Sequence, residues 1–182
     1  MNDTVSVRTA EPRDVEAVVA VAEDAWYAAY GGFLEPATVA QGLRENYDPD
    51  LVEAGVDHED VAVYVAEVED GGGGDSDADG AGGPDGEVVG FASAELTWAD
   101  EVELHTIYVH PDRWGEGVGT ALFEQVETWA REQDVDRVAA AVFVENSVGV
   151  GFFEAMGFER GTEAQGEIGG ELRPEVEFEY GL

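Results

Sequence analysis

The chain has no cysteine, and its eight basic residues are all arginine, so lysine is missing too. Without thiols there are no disulfides, no thiolate nucleophile and no cysteine-based zinc site. Without lysine there is no Schiff-base chemistry and no phosphate-binding loop ending in G-K-[ST]. Positive charge is scarce altogether: 42 acidic residues face 8 basic ones, for a formal net charge of −34. Nucleic acids require a basic footprint that scattered arginines do not form, so no nucleic-acid partner is expected. Long apolar runs are absent as well. No stretch approaches the roughly 18 residues a membrane-spanning helix needs, and the opening MNDTVSVRTAEPRD has neither a basic nor an apolar export segment. The expectation is a cytoplasmic protein with no membrane partner. No G-x-S-x-G elbow holds any of the serines, so nothing points to an acyl-enzyme.

What is present suffices for a packed fold. Apolar and aromatic residues make up 44% and 10% of the 182 positions, so the charge does not signal disorder. One domain spanning residues 1–182 is the economical reading. A surface this acidic and free of lysine resembles that of proteins from salt-accumulating halophiles, in which carboxylates keep the chain hydrated. In molar salt the Debye length is roughly 3 Å and self-repulsion is screened, so low salt is expected to unfold the protein.

Hydrophobic periodicity divides the chain. Residues 4–9 alternate as a strand, and Val15, Val18, Val19, Ala22 and Trp26 recur at helical spacing between Pro12 and about Tyr30. A second helix is expected from Ala37 to about Asn46, and strands at 61–68 and 87–96. Between these strands lies an acidic, glycine-rich insert (69–87) that reads as an enlarged hairpin loop. A strand at 102–109 runs into a glycine turn and a helix from Val118 to about Gln133, with Leu122, Phe123, Val126, Trp129 and Ala130 on one face. A strand at 137–144, a short helix closed by Gly157, and strands near 159–166 and 174–180 complete the order. This is an α/β chain with a central mixed sheet and helices on both sides.

The stretch LHTIYVHPDRWGEGVGT (104–120) carries the chemistry. Glycines at 115, 117 and 119 let consecutive N–H groups approach an anion, and the following helix directs its positive end to the same place. The spacing is G-x-G-x-G rather than G-x-G-x-x-G and follows several strands, which sets it apart from a dinucleotide fold. The pattern L-x-x-I-Y-V-H-P-x-x-W-G-E-G-V-G-T, joined to N-x-x-G-V-G-F-F-E-x-M-G-F at 146–158, resembles the GNAT superfamily of acyl-CoA-dependent N-acyltransferases. The opening VRTAEPRDVEAVVAVAEDAWYAAYGGFLEP is similar to the first strand and helices of that family.

The resemblance implies a largely antiparallel sheet of six to seven strands, in which 102–109 and 137–144 are a parallel pair that splays apart to hold acetyl-CoA. Backbone groups of Ile107, Tyr108 and Val109 would pair with the pantetheine arm. Amides of Trp114, Gly115, Glu116, Gly117, Val118, Gly119 and Thr120 would cradle the pyrophosphate, without help from lysine. Asn146 matches a polar position that contacts the pantetheine arm. Phe153 lies on the cofactor side, where the family often has a tyrosine acid; Trp114 stands where Gln or Arg is common. Without that acid, water, Tyr108 or Tyr180 remains to protonate the thiolate, which with a pKa near 8.5 leaves tolerably unaided. For the base, Glu103 occupies the family's place, and His105, two residues on, is its rival. His105 and His110, five apart, turn to opposite faces of a strand, so no metal is expected. Trp26, Tyr27 and Tyr30 are candidates for the acceptor side.

The expected function is therefore an N-acetyltransferase acting on a primary amine of a small molecule or of a protein or peptide by direct attack, with a homodimer compatible. The alternative is a non-catalytic acyl-CoA-binding or sensing module.

Overall fold

A computed structural model describes residues 5–68, 86–98 and 100–182. The alternating start forms β1 (Val5–Thr9), and a 3-10 turn at Pro12–Asp14 leads into α1 (Val15–Tyr30). Proline in the first turn opens both α2 (Pro36–Asn46) and α3 (Pro49–Val56), where its missing N–H costs nothing. Asp48 caps α3 by accepting from the Asp50 N–H at 3.0 Å. This third helix was not expected, and none of its residues is buried. Its half-buried Val52 and Val56 pack against the α1-side core, too short a stripe to read as a period.

Then come β2 (Val61–Val68), β3 (Glu87–Trp98), β4 (Glu101–Val109), α4 (Val118–Glu132), β5 (Arg137–Phe143) and α5 (Ser147–Ala155). The chain ends in β6 (Glu159–Ile168) and β7 (Glu171–Gly181), a hairpin longer than its apolar pattern suggests. Gly169 and Gly170, both at positive φ, turn it within two residues. Residues 69–85, most of the expected insert, lie outside the described residues; β2 and β3 on either side of them pair antiparallel from Val68↔Glu87 onward.

The strands form one seven-stranded sheet in the order β1-β2-β3-β4-β5-β7-β6. Every neighbouring pair is antiparallel except β4 and β5. This is the mixed, largely antiparallel sheet that the sequence leads one to expect. On one face Val18, Ala22 and Trp26 of α1 and Val39 of α2 pack with Val63, Val65 and Phe91. On the other, Val118, Leu122, Phe123 and Val126 of α4 pack with Ala92, Ala94, Val102, Val138 and Phe178.

One irregularity in β4 positions the site. Ser93 pairs with Thr106 and Ala94 with Leu104, so His105 has no counterpart on β3 and forms a β-bulge. The extra residue reverses the alternation of faces. Val102 and Leu104 belong to the α4-side core, and beyond the bulge so do Ile107 and Val109. Tyr108 is thereby turned to the α1 side.

Away from this region, Arg8 ties β1 to the start of α1. Its guanidinium donates to Asp14 at 2.7 and 2.8 Å and to Glu67. Both carboxylates are nearly fully buried. The hydrogen bonds from Arg8 hold the Asp14 carboxyl below its ordinary range, against the opposing effect of burial. Removing the cation strands two buried anions, so Arg8→Met is expected to lose about 3 kcal/mol in urea unfolding at fixed salt. An unchanged midpoint would show that the triad contributes nothing. Because the folded pKa of Asp14 is depressed, its contribution is complete above the usual aspartate value near about 4. It fades as the pH falls through the folded value.

Candidate active site

β4 and β5 pair only at Glu101↔Arg137, Val102↔Val138 and Glu103↔Ala139. Beyond that, β3 holds β4 as far as Val109, and β7 holds β5 as far as Phe143. The two strands separate because each is fixed to its outer neighbour, and a cleft of about 590 Å³ opens between them. That volume lies in the range of small-molecule sites.

The register decides which backbone groups face this gap. The His110 N–H donates to the Val89 carbonyl at 2.8 Å, toward β3. Tyr108, two residues back and opposite Phe91, points its amide groups the same way. Ile107 and Val109 therefore present theirs to the cleft. The Val109 carbonyl is already engaged, accepting from the Trp114 indole N–H at 2.9 Å. The Ile107 N–H and C=O and the Val109 N–H remain as an edge for an amide-bearing ligand. Tyr108 contributes its side chain, not its backbone.

At one end of the cleft lies the glycine turn. Gly115 and Gly117 have φ of 82° and 87°, and Gly117 is the residue from which α4 starts. The Trp114 N–H donates to Pro111 at 3.2 Å and the Glu116 N–H to Arg113 at 3.4 Å, so these two amides turn inward. The helix's own ladder begins with the Ala121 N–H, donated to Gly117 at 3.0 Å. The N–H groups of Val118, Gly119 and Thr120 precede it and sit at the positive end of the dipole. The amides left without a backbone partner along the cleft wall are thus fewer than the sequence suggests: those of Gly115 and of Gly117 to Thr120. Glu116 is not part of the cleft wall and turns its carboxylate toward Arg113, which does line the cleft beside the exposed Trp114 ring.

The opposite wall comes from α5. Asn146 caps this helix, its Oδ1 accepting from the Gly149 N–H at 3.0 Å, which leaves the NH2 to face the Tyr30 hydroxyl at the cleft. A side chain on Gly119 would come within 2.9 Å of the Phe152 ring, so α4 and α5 approach closely here. Phe153 lines the cleft but is buried, stacked on Phe178 at 5.5 Å and edge-on to Phe158. It has no proton to give. Tyr180 points elsewhere, donating to Glu127 of α4 at 3.1 Å.

The two candidate bases lie at or beyond the rim. Glu103 is opposite Glu95 in the sheet and is not part of the cleft wall. The exposed His105 ring lies between them, Nε2 at 3.0 Å from Glu95 and Nδ1 at 3.6 Å from Glu103. Among the described residues, no group of three or more His, Asp or Glu side chains has a metal-binding arrangement. Nor is any helix among them long and apolar enough to cross a membrane.

On the α1 side the wall is aromatic. Trp26 packs edge-on to Tyr30 and Tyr47 at 5.0 and 5.6 Å, and Tyr47 edge-on to Tyr108 at 6.3 Å. The Tyr30 and Tyr108 hydroxyls are 2.9 Å apart. Burial pushes both phenols above their ordinary pKa. The exposed Tyr27 is not part of this wall, whereas Trp26 and Tyr30 are. Tyr47 carries no mark in motif or period, while Thr106 and Phe152 lie inside the quoted motifs without a role assigned to them.

The profile of the acetyltransferase (GNAT) family matches residues 43–158, which include the splayed strands, the glycine turn, α4 and α5. The chain belongs to this family. An uncharacterised N-acetyltransferase of Methanocaldococcus jannaschii is 32% identical over 44% of this chain and 38% of its own length. The chain thus spans less than half of that relative. Among solved structures, the PaiA N-acetyltransferase of Thermoplasma acidophilum in complex with coenzyme A superposes with a TM-score of 0.75 at 19% identity, covering 94% of this chain and 98% of that one. The ribosomal-protein-S18-alanine N-acetyltransferase of Escherichia coli gives 0.65 at 15% identity, over 98% and 94% of the two chains. At such identities these structures share with this GNAT chain its fold.

Proposed function

We propose that the protein is an N-acetyltransferase that moves the acetyl group of acetyl-CoA to a primary amine, of a small molecule or of a peptide or protein, by direct attack. One observation carries this reading: the gap between β4 and β5 joins an unpaired amide edge at Ile107 and Val109 to a cradle of helix-start N–H groups at Val118, Gly119 and Thr120. Pantetheine, with two amides, suits the first; a pyrophosphate suits the second. The structure of the PaiA protein with coenzyme A gives the same reading support from a protein of like fold.

The chain's own groups divide the work. Amides at the glycine turn hold the phosphates by dipoles, which serves a chain of net charge −34. The Asn146 NH2 and the Ile107 edge orient the pantetheine arm and so bring the thioester to the acceptor. The Val109 N–H donates to the thioester oxygen as negative charge grows on it. Glu103 and His105 stand at the rim, where through water they take the first proton from the arriving ammonium, before the attack.

Calorimetry with acetyl-CoA in molar KCl, beside thiol release over a panel of amines, tests the proposal. Micromolar binding with release on at least one amine is expected. Binding without release on any amine points to a module that only binds the cofactor; no binding overturns the reading.

A further inference from the structure

The proton path of the proposed reaction lacks its obvious acid and has its bases at the edge. The position of the tyrosine acid is Phe153, Glu103 lies outside the cleft wall, and of the lining residues that could accept a proton His105 is exposed at the rim and Glu167 lies on the terminal hairpin. Inside the cleft the hydroxyl-bearing residues are Tyr30, Tyr47, Thr106, Tyr108 and Thr120. Thr106 is bonded to Ser93 at 2.9 Å, and Thr120 donates to the Met156 sulfur at 3.6 Å. Tyr30 and Tyr108 are bonded to each other. The Asn146 side chain also reaches Tyr30, and Tyr47 reaches Tyr108, but only one of the pair's two protons is used in the bond between them, so an O–H remains.

The placement of the pair is informative. Tyr30 comes from α1, its ring edge-on to Phe143 of β5 at 6.1 Å and its hydroxyl on Tyr108 of β4. It therefore reaches across the separation of the two strands, at the level where β5 gives way to Asn146. A thioester lying between β4 and β5 has this hydroxyl pair on the side toward α1.

We propose that the Tyr30–Tyr108 hydroxyl pair relays a proton from the attacking amine to the departing sulfur. This rests on the acetyltransferase reading above. The amine nitrogen forms a bond to the thioester carbon, and the C–S bond breaks with its electron pair going to sulfur. One hydroxyl takes the proton released by nitrogen as the other hands its own to sulfur, and the proton between them shifts across. The products are the amide and the free thiol, and both tyrosines end neutral. That neutrality suits the surroundings: burial among Trp26, Tyr47 and Phe91 disfavours a phenolate. A two-residue relay needs none, whereas a lone tyrosine acid would leave one behind.

Tyr30→Phe, Tyr108→Phe and the double variant test this. Each removes an oxygen and keeps the ring packing. The expected loss in kcat is about 100-fold for either single change, the usual scale for acid–base assistance, with Kd for acetyl-CoA held within about twofold by calorimetry. The double variant should be no slower than the slower single, since a chain broken at one link is already broken. In mixtures of H2O and D2O, the wild-type kcat should fall along a curve, the mark of more than one proton in flight, and that of the variants along a line.

Wild-type kcat in either single variant, or losses that multiply in the double, overturns the relay. So does a loss of acetyl-CoA affinity matching the loss of rate, which would make the hydroxyls structural. If Tyr30→Phe does not fold, Tyr108→Phe carries the same test. An inactive wild type defeats the acetyltransferase reading and the relay together; an active wild type with an active Tyr30→Phe defeats the relay alone.

Discussion

Gly117→Pro is expected to bind acetyl-CoA about two to four orders of magnitude more weakly than the wild type. Gly117 has a φ of 87° and stands immediately before the first turn of α4. Proline fixes φ near about −65°, so the substituted chain cannot enter the helix along the same path. The N–H groups of Val118, Gly119 and Thr120 then no longer converge. Losing two hydrogen bonds to a charged phosphate costs about 3–6 kcal/mol, which is the stated drop in affinity. Two further substitutions separate the causes. At Gly117 an added Cβ meets nothing within 4 Å, so Gly117→Ala carries only the left-handed backbone cost of about 1–2 kcal/mol. Gly119→Val acts differently, because its Cβ runs into the Phe152 ring and pushes α5. Calorimetry should rank them Gly117→Ala, then Gly119→Val and Gly117→Pro in order of increasing damage. Wild-type affinity in Gly117→Pro would remove the turn from the binding site.

The second large effect is expected from salt. The formal charge of −34 is not evenly diluted: Glu95 faces Glu103 and Glu159 faces Glu179 directly across neighbouring strands. Like charges so placed oppose the sheet. For Glu95 and Glu103 the His105 ring lies between the carboxylates. Glu179 lies on β7 with Glu171, Glu175 and Glu177, close to Glu159, Glu163 and Glu167 of β6. At roughly 3 Å, the screening length of molar salt is shorter than the spacing of such pairs; in about 0.01 M salt it is near 30 Å and all of them repel. We propose that the protein is adapted to high salt. Its melting temperature should fall by at least about 10 °C from molar KCl to dilute buffer, about 3–5 kcal/mol for a chain of this length. Equal melting temperatures in the two would defeat the proposal. The Arg8 triad should be the exception, because its carboxylates are shielded from salt by burial rather than by ions.

Legibility in the sequence followed burial. Helix α1 was readable because Val15, Val18, Ala22 and Trp26 all face a core, and α4 because Leu122, Phe123 and Val126 do. Helix α3 sets only the half-buried Val52 and Val56 against the core, and β6 is exposed along nearly all its length, so neither imprinted a readable period on its residues. The glycine turn was readable because only glycine accepts the backbone that Gly115 and Gly117 adopt. The aromatic wall was not. Tyr47 and Tyr108 lie 61 positions apart in sequence and meet only after the sheet has formed. Nor was the inward turn of the Trp114 and Glu116 amides, which depends on hydrogen bonds to Pro111 and Arg113 rather than on residue type.

The extra residue at His105 makes the site depend on counting as much as on chemistry. Upstream of it β4 is in one reading frame with β3, and downstream in another. One residue inserted into β3 between Ser93 and Ala94 would give His105 a partner and merge the two frames. With Val102 and Leu104 held on the α4 side, Tyr108 would then be carried there too and its hydroxyl taken from Tyr30, with no change in β4 itself. Side chains along β4 can be exchanged one at a time, but the site also depends on β4 being one residue longer than β3 across this stretch.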